Sequence, residues 1–371
     1  MAFRIVVLGG YGNFGGRICR SLATDKEIWL GVAGRDLTRA KEFVRALGAP
    51  AALCESLSID HEGEDFSSSL AALRPDLVIH TSGPFQDQSY HVAAAAIEAG
   101  AHYVDLADGR AFVAGIGTLD GAARRRGVLV ASGASTLPAV SSAVIDSLAS
   151  GFDRIEQLEI GIAPGQAVSR GRATLEAVLS YCGQPFKEWN SGQWTEVFGW
   201  QGLHRIHYAD LGWRWGARCD VPDLELLPAR YASLESVRFD ASLELAIEHL
   251  GLWALSWLVR VGLVRHPASL AGTLLRIARL LDRFGGNVGG MRVRLVGRRP
   301  DGTSGESTWN LTARNGDGPV IPCIPAIVIA ERLASGESFE PGARPCQGMM
   351  TLEQFSDATR DLAITWSIQT S

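Results

Sequence analysis

The residues best suited to chemistry stand near the start of the chain, where glycines recur at a fixed spacing. Residues 10–15 read Gly-Tyr-Gly-Asn-Phe-Gly, a GxGxxG motif between an apolar run and a helical pattern. In this motif the first glycine permits a tight turn, the second lets the backbone approach a pyrophosphate, and the third lets helix and strand pack closely. The motif predicts a dinucleotide site formed by Gly10, Tyr11, Gly12, Asn13, Phe14 and Gly15; the alternative is a glycine-rich turn that binds nothing.

The end of the second strand indicates which dinucleotide is expected. That strand ends in the residues VAGRD, at positions 32–36. An acid at this point binds the ribose 2′-hydroxyl of NAD, whereas an arginine accommodates the 2′-phosphate of NADP. We predict that Arg35 and Arg39 bind the phosphate and that the cofactor is NADP(H). The alternative is NAD(H) with Asp36 on the ribose, although Asp36 is better placed to cap the following helix.

Two later strand ends supply further candidates. Ligands of open α/β sheets bind outside the carboxyl ends of the strands, so Ser82, Gly83 and Pro84 in the segment TSGPFQ are predicted to contact the cofactor. The alternative is a structural turn close to the cofactor. His80 lies inside an apolar strand and is interpreted as a core histidine.

The segment HYVDLAD, residues 102–108, carries the acids closest to this expected site. Hydride transfer to a ketone or enone requires a proton donor within hydrogen-bond reach, whereas an iminium ion is already protonated. Tyr103, Asp105 and Asp108 are the catalytic candidates, and the alternative for the acids is capping of the next helix.

The sequence lacks the motifs of short-chain reductases, serine hydrolases and zinc sites. The chain has no Tyr-x-x-x-Lys pair and no Gly-x-Ser-x-Gly elbow. Its six cysteines form no CxxC pair, and the HxxH of His204 and His207 has no assignable carboxylate ligand. We therefore predict no metal, and we interpret the two histidines as a solvated or aromatic-packed pair.

These residues require a scaffold of alternating strands and helices, and the first 135 residues show that pattern. The predicted fold class is α/β: an N-terminal Rossmann domain with a doubly wound parallel sheet, followed by an α+β domain built on a mostly antiparallel sheet. We place the Rossmann domain at residues 1–146 and the α+β substrate and dimerisation domain at 147–371, with residues 345–371 able to pack back on the first domain.

Residues 242–284 are predicted to form two apolar helices separated at RHP. The simplest interpretation is a helix pair that covers the sheet and leaves a solvated arginine face. The alternatives are a surface-seeking amphipathic element or a wall of a pocket for an apolar substrate.

Several segments together resemble the saccharopine dehydrogenase-like family of NAD(P)-dependent oxidoreductases. They are VLGGYGNFGGRICRSLA, VAGRD, TSGPFQ, AGAHYVDLADG and GASTLPAVSSAVID, with weaker likeness in PARYASLESVRF and PGARPCQGMMTLEQF. The resemblance implies a Rossmann domain and an α+β domain with substrate between them. It does not imply the substrate, because the substrate-binding segments of saccharopine reductases are not matched in the second half.

Composition narrows the class of protein. The chain of 371 residues has a net charge of −5, which argues against nucleic-acid binding, and its scattered cysteines suit a cytoplasmic protein. We predict an NADPH-dependent oxidoreductase that reduces a C=N, C=O or C=C bond of a small or moderately apolar molecule and forms a homodimer. The alternatives are a non-catalytic NADP(H) sensor and a membrane-peripheral lipid-modifying reductase; a membrane partner is possible but not favoured.

Overall fold

The computed structural model describes the backbone of residues 2–168 and 172–371, and their side chains except those of residues 172–174. Spatial contacts between residues divide the chain into two compact units. The first comprises Met1–Val140 and Val320–Met350, and the second comprises Ser141–Pro319 and Thr351–Ser371.

The first unit is built on a seven-stranded parallel sheet. Its strands are β1 (Phe3–Leu8), β2 (Ile28–Gly34), β3 (Leu53–Ser58), β4 (Leu77–His80), β5 (His102–Asp105), β6 (Leu129–Ser132) and β15 (Gly342–Pro345). They lie in the order β15-β6-β5-β4-β1-β2-β3, which reverses direction between β1 and β4. Such a reversal is the point at which doubly wound sheets bind ligands, so the predicted fold class is confirmed for this unit.

Helices cover both faces of this sheet: α1 (Gly15–Leu22), α2 (Leu37–Ala46), α3 (Phe66–Leu73), α4 (His91–Ala99), α5 (Arg110–Gly115), α6 (Asp120–Arg126) and α12 (Ile324–Ala334). The strand β1 shows why its residues 5–8 are all apolar. Ile5 and Val7 lie in the core shared with α1 and α12, whereas Val6 and Leu8 lie in the core shared with α3 and α4. A strand buried on both faces needs a continuous apolar run rather than an alternating one.

The second unit contains a mixed sheet in the order β10-β11-β12-β7-β13-β14-β16 and a separate hairpin of β8 and β9. Its strands are β7 (Arg154–Ala163), β8 (Pro185–Asn190), β9 (Gln193–Phe198), β10 (His204–Tyr208), β11 (Gly212–Arg218), β12 (Ser236–Ser242), β13 (Gly289–Arg298), β14 (Ser304–Ala313) and β16 (Ile364–Thr370). Only the pair β12 and β7 of the large sheet is parallel. The mostly antiparallel sheet predicted for this part is confirmed.

The helices of the second unit are α7 (Ser141–Ala149), α8 (Arg172–Ser180), α9 (Asp223–Arg230), α10 (Ala246–Arg260), α11 (Ala271–Leu281) and α13 (Leu352–Ala358). Short 3-10 segments occur at Ile116–Leu119, Pro267–Leu270, Asp282–Phe284 and Gly318–Cys323, and one π turn at Thr136–Val140. The helix pair predicted within residues 242–284 is present, and Pro267 opens the 3-10 turn between its two helices.

The division of the chain differs from the expected boundary at residue 146. The segment Val320–Met350, expected in the second domain, lies in the first unit. Its helix α12 places Ile327, Ile329 and Leu333 in the core beside α1, and its strand β15 pairs with β6 as a seventh strand. From Thr351 onward the chain belongs to the second unit, where β16 pairs with β14. The pairing of β15 with β6 joins Gly342 to Leu129, 213 positions away, and local sequence patterns do not report such a pairing.

Candidate functional site

The glycine turn is held against the end of β2. The N–H groups of Gly9 and Gly10 both donate to the carbonyl of Ala33, at 2.9 and 3.0 Å. Gly9 adopts the left-handed conformation, with φ of +77°, so it makes the turn that the motif assigned to Gly10. Position 10 needs a glycine for a different reason, because a Cβ atom there would lie only 2.9 Å from the carbonyl oxygen of Val7.

The other two glycines of the motif occupy different surroundings. A Cβ atom on Gly15 would lie 2.3 Å from the carbonyl oxygen of Gly9 and 2.7 Å from Oγ1 of Thr81. Gly12 is exposed, and a Cβ atom there would meet only Gly9, at 3.0 Å. Within the described residues, the backbone N–H groups of Asn13, Phe14 and Gly15 donate to no acceptor. These N–H groups at the start of α1 are available to a phosphate.

Tyr11 connects the glycine turn to the residues that follow β2. Its ring lies on Gly34, where a Cβ atom would come within 2.5 Å of Cε1 of Tyr11. Its hydroxyl accepts the N–H of Asp36 at 2.9 Å, and the Arg39 guanidinium lies 5.0 Å from the ring centroid. Gly34 therefore makes room for a tyrosine ring, a role that the sequence did not indicate.

The polar residues after β2 divide into a cap and two exposed cations. The Asp36 carboxylate accepts the N–H of Arg39 at 3.1 Å and caps α2, as predicted. Arg35 and Arg39 are exposed, and neither guanidinium has an acidic partner among the described residues. Of these two positive charges without an acidic partner, that of Arg39 lies beside the ring of Tyr11.

The turn after β4 lies next to the glycine turn. The Thr81 hydroxyl donates to the carbonyl of Leu8 at 2.8 Å, which fixes the end of β4 against β1. The Gln88 amide donates to the carbonyls of Ser82 and Pro84, at 2.8 Å each. A Cβ atom on Gly9 would lie 2.8 Å from the Ser82 hydroxyl, so Ser82 and the glycine turn are brought together. Gly83 and Pro84 are exposed on the same turn.

Of the predicted catalytic residues, Tyr103 and Asp105 are sealed from solvent, at 0% exposure. Asp105 Oδ1 accepts the N–H groups of Ala107 and Gly133, at 3.0 and 2.8 Å, and the Ser132 hydroxyl at 3.0 Å. Burial raises the pKa of Asp105 to about 6, against the effect of these donors. The Asp105 carboxylate joins the ends of β5 and β6, and direct contact with a substrate would require a rearrangement.

Tyr103 is part of the same buried polar group. Its hydroxyl lies 3.1 Å from Nδ1 of His80, and burial raises its pKa well above the ordinary value. His80 is 1% exposed, its ring contacts Phe85 at 5.0 Å, and burial lowers its pKa to about 3. The interpretation of His80 as a core histidine is confirmed.

Asp108 has a different position from the two buried candidates. It is exposed, and its Oδ1 accepts the side-chain N–H of Gln86 at 3.1 Å, which links the turn after β5 to the turn after β4. Protein atoms around the carboxylate raise its pKa, and the Gln86 hydrogen bond acts in the opposite direction. The next helix, α5, has Gly109 as its N-cap and no side-chain capping bond, so Asp108 does not serve as a cap.

The structure also groups histidines that sequence spacing did not connect. Ligand atoms of His61, Glu62 and His91 lie within 4.8 Å of one another. Both nitrogens of His91 already have partners, the carbonyl of His61 at 2.7 Å and the hydroxyl of Ser89 at 3.0 Å. A metal ion would therefore displace existing hydrogen bonds. The two histidines are 30 positions apart on different elements, which left no local signal.

The two histidines of the HxxH motif in the second unit lie on opposite faces of β10. His204 and His207 are an odd number of positions apart on β10, so their side chains point to opposite faces. Nε2 of His204 lies 3.5 Å from the carboxylate of Asp240, whereas the His207 ring packs on Trp213 at 5.1 Å. The aromatic-packed interpretation holds for His207, and the sequence missed the carboxylate beside His204.

Comparison with known proteins gives one family match and several similar structures. Residues 5–147 match the family model of the saccharopine dehydrogenase NADP binding domain, a span that includes the glycine turn, Arg35 and both strand-end turns. A search of curated proteins gives no match. Saccharopine dehydrogenase (L-Glu forming) from Saccharomyces cerevisiae is similar in structure, with 14% identity, 100% of both chains covered and a TM-score of 0.66. Amine dehydrogenase from Mycobacterium smegmatis has 13% identity over 92% of this chain and 94% of that chain, with a TM-score of 0.46.

The glycine turn yields a prediction based on two matched substitutions. Gly12→Val places a branched side chain on the exposed side of the turn, so NADPH binding should largely vanish, and its Cβ atom, 3.0 Å from the Gly9 carbonyl, should cost less stability than that of Gly15→Val. Gly15→Val forces an atom against the Gly9 carbonyl, so it should destabilise the protein by about 1–3 kcal/mol. Calorimetric titration and thermal unfolding measure both. NADPH affinity close to that of the unmutated protein in Gly12→Val would show that the turn does not hold the pyrophosphate.

The buried carboxyl of Asp105 yields a pH dependence. Its pKa is raised from 3.8 to about 6 in the folded protein, so between these values the folded state holds a proton that the unfolded state has released. The free energy of unfolding should therefore fall by about 3 kcal/mol from this group as pH rises from about 4 to above 6. Urea unfolding across this range should show that decrease in the unmutated protein.

Asp105→Asn is the comparison that isolates this group. The variant should lack the Asp105 share of the decrease, because an amide does not titrate. Asp223, whose pKa burial also raises, contributes equally to both proteins and cancels in the difference. Parallel pH profiles for the two proteins would contradict the assignment.

Proposed function

We propose that this chain, whose residues 5–147 match the family model of the saccharopine dehydrogenase NADP binding domain, catalyses the NADPH-dependent reduction of a C=N, C=O or C=C bond in a small or moderately apolar molecule. One observation carries the choice of NADPH. Arg35 and Arg39 are exposed cations at the end of β2, while Asp36 is engaged as the cap of α2.

The charges around this strand end favour a phosphate over a bare ribose. An acid that binds a ribose presents its carboxylate to the 2′-hydroxyl, whereas Oδ1 of Asp36 accepts the backbone N–H of Arg39. Tyr11 packs under the Arg39 guanidinium, which reduces the freedom of that side chain before any ligand binds. A preordered cation loses less conformational entropy when it pairs with a phosphate.

The chemistry then requires a donor for one proton. A bound nicotinamide supplies the hydride. Asp108 is the exposed acid among the three candidates, and its raised pKa keeps it protonated to a higher pH than an ordinary aspartate. Gln86 holds one carboxyl oxygen of Asp108 by a hydrogen bond, which leaves the other oxygen to carry the proton. We assign the donor role to Asp108 and a positioning role to Asp105.

The proposed function is tested with NADPH consumption against three substrate panels: aldehyde-plus-amine mixtures, ketones and enones. Turnover with any of them supports the proposal, and the most active panel identifies the reducible bond. Tight NADPH binding without turnover on every panel would favour a sensor that binds the dinucleotide and regulates a partner.

Arg35→Ala tests the cofactor assignment. A charge-assisted contact with the 2′-phosphate contributes about 1.5–3 kcal/mol, so its loss should weaken NADPH binding by about 10- to 100-fold. NADH lacks the phosphate and should bind almost unchanged, and Arg45→Ala, an exposed arginine on α2, serves as the matched control. Calorimetric titration with both dinucleotides measures the change. An unmutated protein that prefers NADH would show that Asp36 binds the ribose instead.

Asp108→Asn tests the proton donor. Reduction of a ketone or enone should fall by about 10²- to 10⁴-fold in kcat, whereas reduction of a preformed iminium ion should change little. Because the donor must be protonated, ketone reduction by the unmutated protein should decline as pH rises through the raised pKa of Asp108. Asp87→Asn, an exposed acid in the neighbouring turn, is the control. Full ketone reduction by Asp108→Asn would transfer the role to another group.

A further inference from the structure

We propose that the outward face of α10 and α11 docks on the surface of an anionic membrane. This docking face consists of Ile247, Leu250, Trp257, Leu258, Val261, Leu263, Ile277, Leu280 and Phe284, together with the arginines beside them. The proposal goes beyond the reductase function, because it concerns where the protein works rather than the reaction.

Exposed apolar side chains are concentrated on this face. Of the fourteen large hydrophobic residues that are exposed in the described part of the chain, nine belong to the docking face. Leu263, Leu280 and Ile247 are 74%, 71% and 70% exposed. Scattered exposed leucines need no explanation, but a cluster of this kind marks an interaction surface.

The outward stripe of α10 lacks the polar side chains that an ordinary surface helix exposes. Its outward stripe, at positions 247, 250, 254, 257, 258 and 261, is apolar throughout, whereas its buried stripe includes His249 and Ser256 at 0% exposure. A helix in water normally turns its polar residues outward. The outward stripe therefore requires an apolar medium or partner.

The charge beside these residues identifies that medium. Residues 246–284 contain five arginines and two acidic residues, a net charge of +3 in a chain whose net charge is −5. Arg276, Arg279 and Arg283 are exposed on or just after α11, and none of them has an acidic partner within the described residues. Several arginines on the sheet of the second unit are paired with acids by contrast, as Arg294 is with Glu159 and Glu306 at 2.9 and 2.6 Å.

This combination suits anionic lipid rather than a second copy of the chain. Apolar side chains can enter the headgroup boundary, where arginines extend toward lipid phosphates. A two-fold contact between copies would instead bring the same arginines against each other. No helix in the described residues is long and apolar enough to span a bilayer, so the interaction proposed is one of surface docking.

A buried glutamine connects the two helices of the face. The side chain of Gln166, at 0% exposure, donates to Glu248 Oε1 in the first turn of α10 at 2.8 Å. The same nitrogen lies 3.4 Å from the carbonyl of Ala278 and from the Asp282 carboxylate at the end of α11. The side chain of Gln166 thus reaches both the first turn of α10 and the residues at the end of α11.

Co-sedimentation of the full-length protein with vesicles tests the proposal. Binding is expected with phosphatidylcholine vesicles that contain about 30 mol% phosphatidylglycerol, with much weaker binding to phosphatidylcholine alone. Leu263→Glu combined with Leu280→Glu should lower the partition coefficient at least about tenfold. Arg276→Ala combined with Arg279→Ala should lower it by about fivefold for each arginine at low salt.

Matched controls keep the test specific. Leu53→Glu alters a leucine that is 64% exposed in the first unit, and Arg45→Ala removes an exposed arginine there; both variants should bind as the unmutated protein does. Vesicles with brominated lipid should quench the fluorescence of Trp257, and the quenched fraction should fall in Trp257→Phe while sedimentation persists. Folding of each variant is checked by its thermal midpoint.

Several results would overturn the proposal. These are no binding to either vesicle, equal binding to both vesicles, or quenching in Trp257→Phe that equals that of the unmutated protein. A change of oligomeric state in Leu263→Glu, seen by light scattering without vesicles, would show that the face joins two copies of the chain.

Discussion

The close approach of Gly15 to the carbonyl of Gly9 is the constraint on which the first unit depends. Any side chain at residue 15 would place its Cβ atom 2.3 Å from that oxygen, well inside van der Waals contact. Because the contact is available only to glycine, α1 begins directly on the turn after β1. The N–H groups of the first turn consequently point outward beside Ser82 and the end of β4. If a side chain at residue 15 pushed α1 away from this turn, these N–H groups could no longer converge on one phosphate.

The carboxylate of Asp105 likewise fixes the backbone on the other side of the point where the strand order reverses. It gathers donors from the turns after β5 and β6 at a position that water does not reach. Burial disfavours the ionised form of the Asp105 carboxyl, yet three donors satisfy its Oδ1. The same hydrogen bonds fix the turn that carries Asp108. The chain thus uses one acid of this segment to hold the backbone and leaves the other at the surface. Identical residue types three positions apart acquire different chemistry from their surroundings alone.

The second unit distributes its polarity in an unusual way. Its sheet carries paired arginines and acids along β7, β12 and β13, whereas its outermost helices expose apolar side chains beside unpaired arginines. Pairing with an acid offsets part of the desolvation cost of a partly buried arginine, whereas an unpaired arginine is stable only where water or a counter-charge is available. This contrast separates the part of the unit that supports a fold from the part that is available to a partner.

The sequence alone determined the fold class, the dinucleotide motif and the cap at Asp36, because each depends on residues within one strand-turn-helix segment. Periodicity was sufficient for β1 and for the helix pair at residues 242–284. The tertiary structure decided what sequence spacing does not encode: that Gly9 makes the left-handed turn, that Tyr11 rests on Gly34, and that α12 and β15 complete the first unit. It also decided which of Tyr103, Asp105 and Asp108 reaches solvent. Residue type sets what a side chain is able to do, but its neighbours come from elements tens to hundreds of positions away. Burial and charge are therefore fixed only when those elements meet.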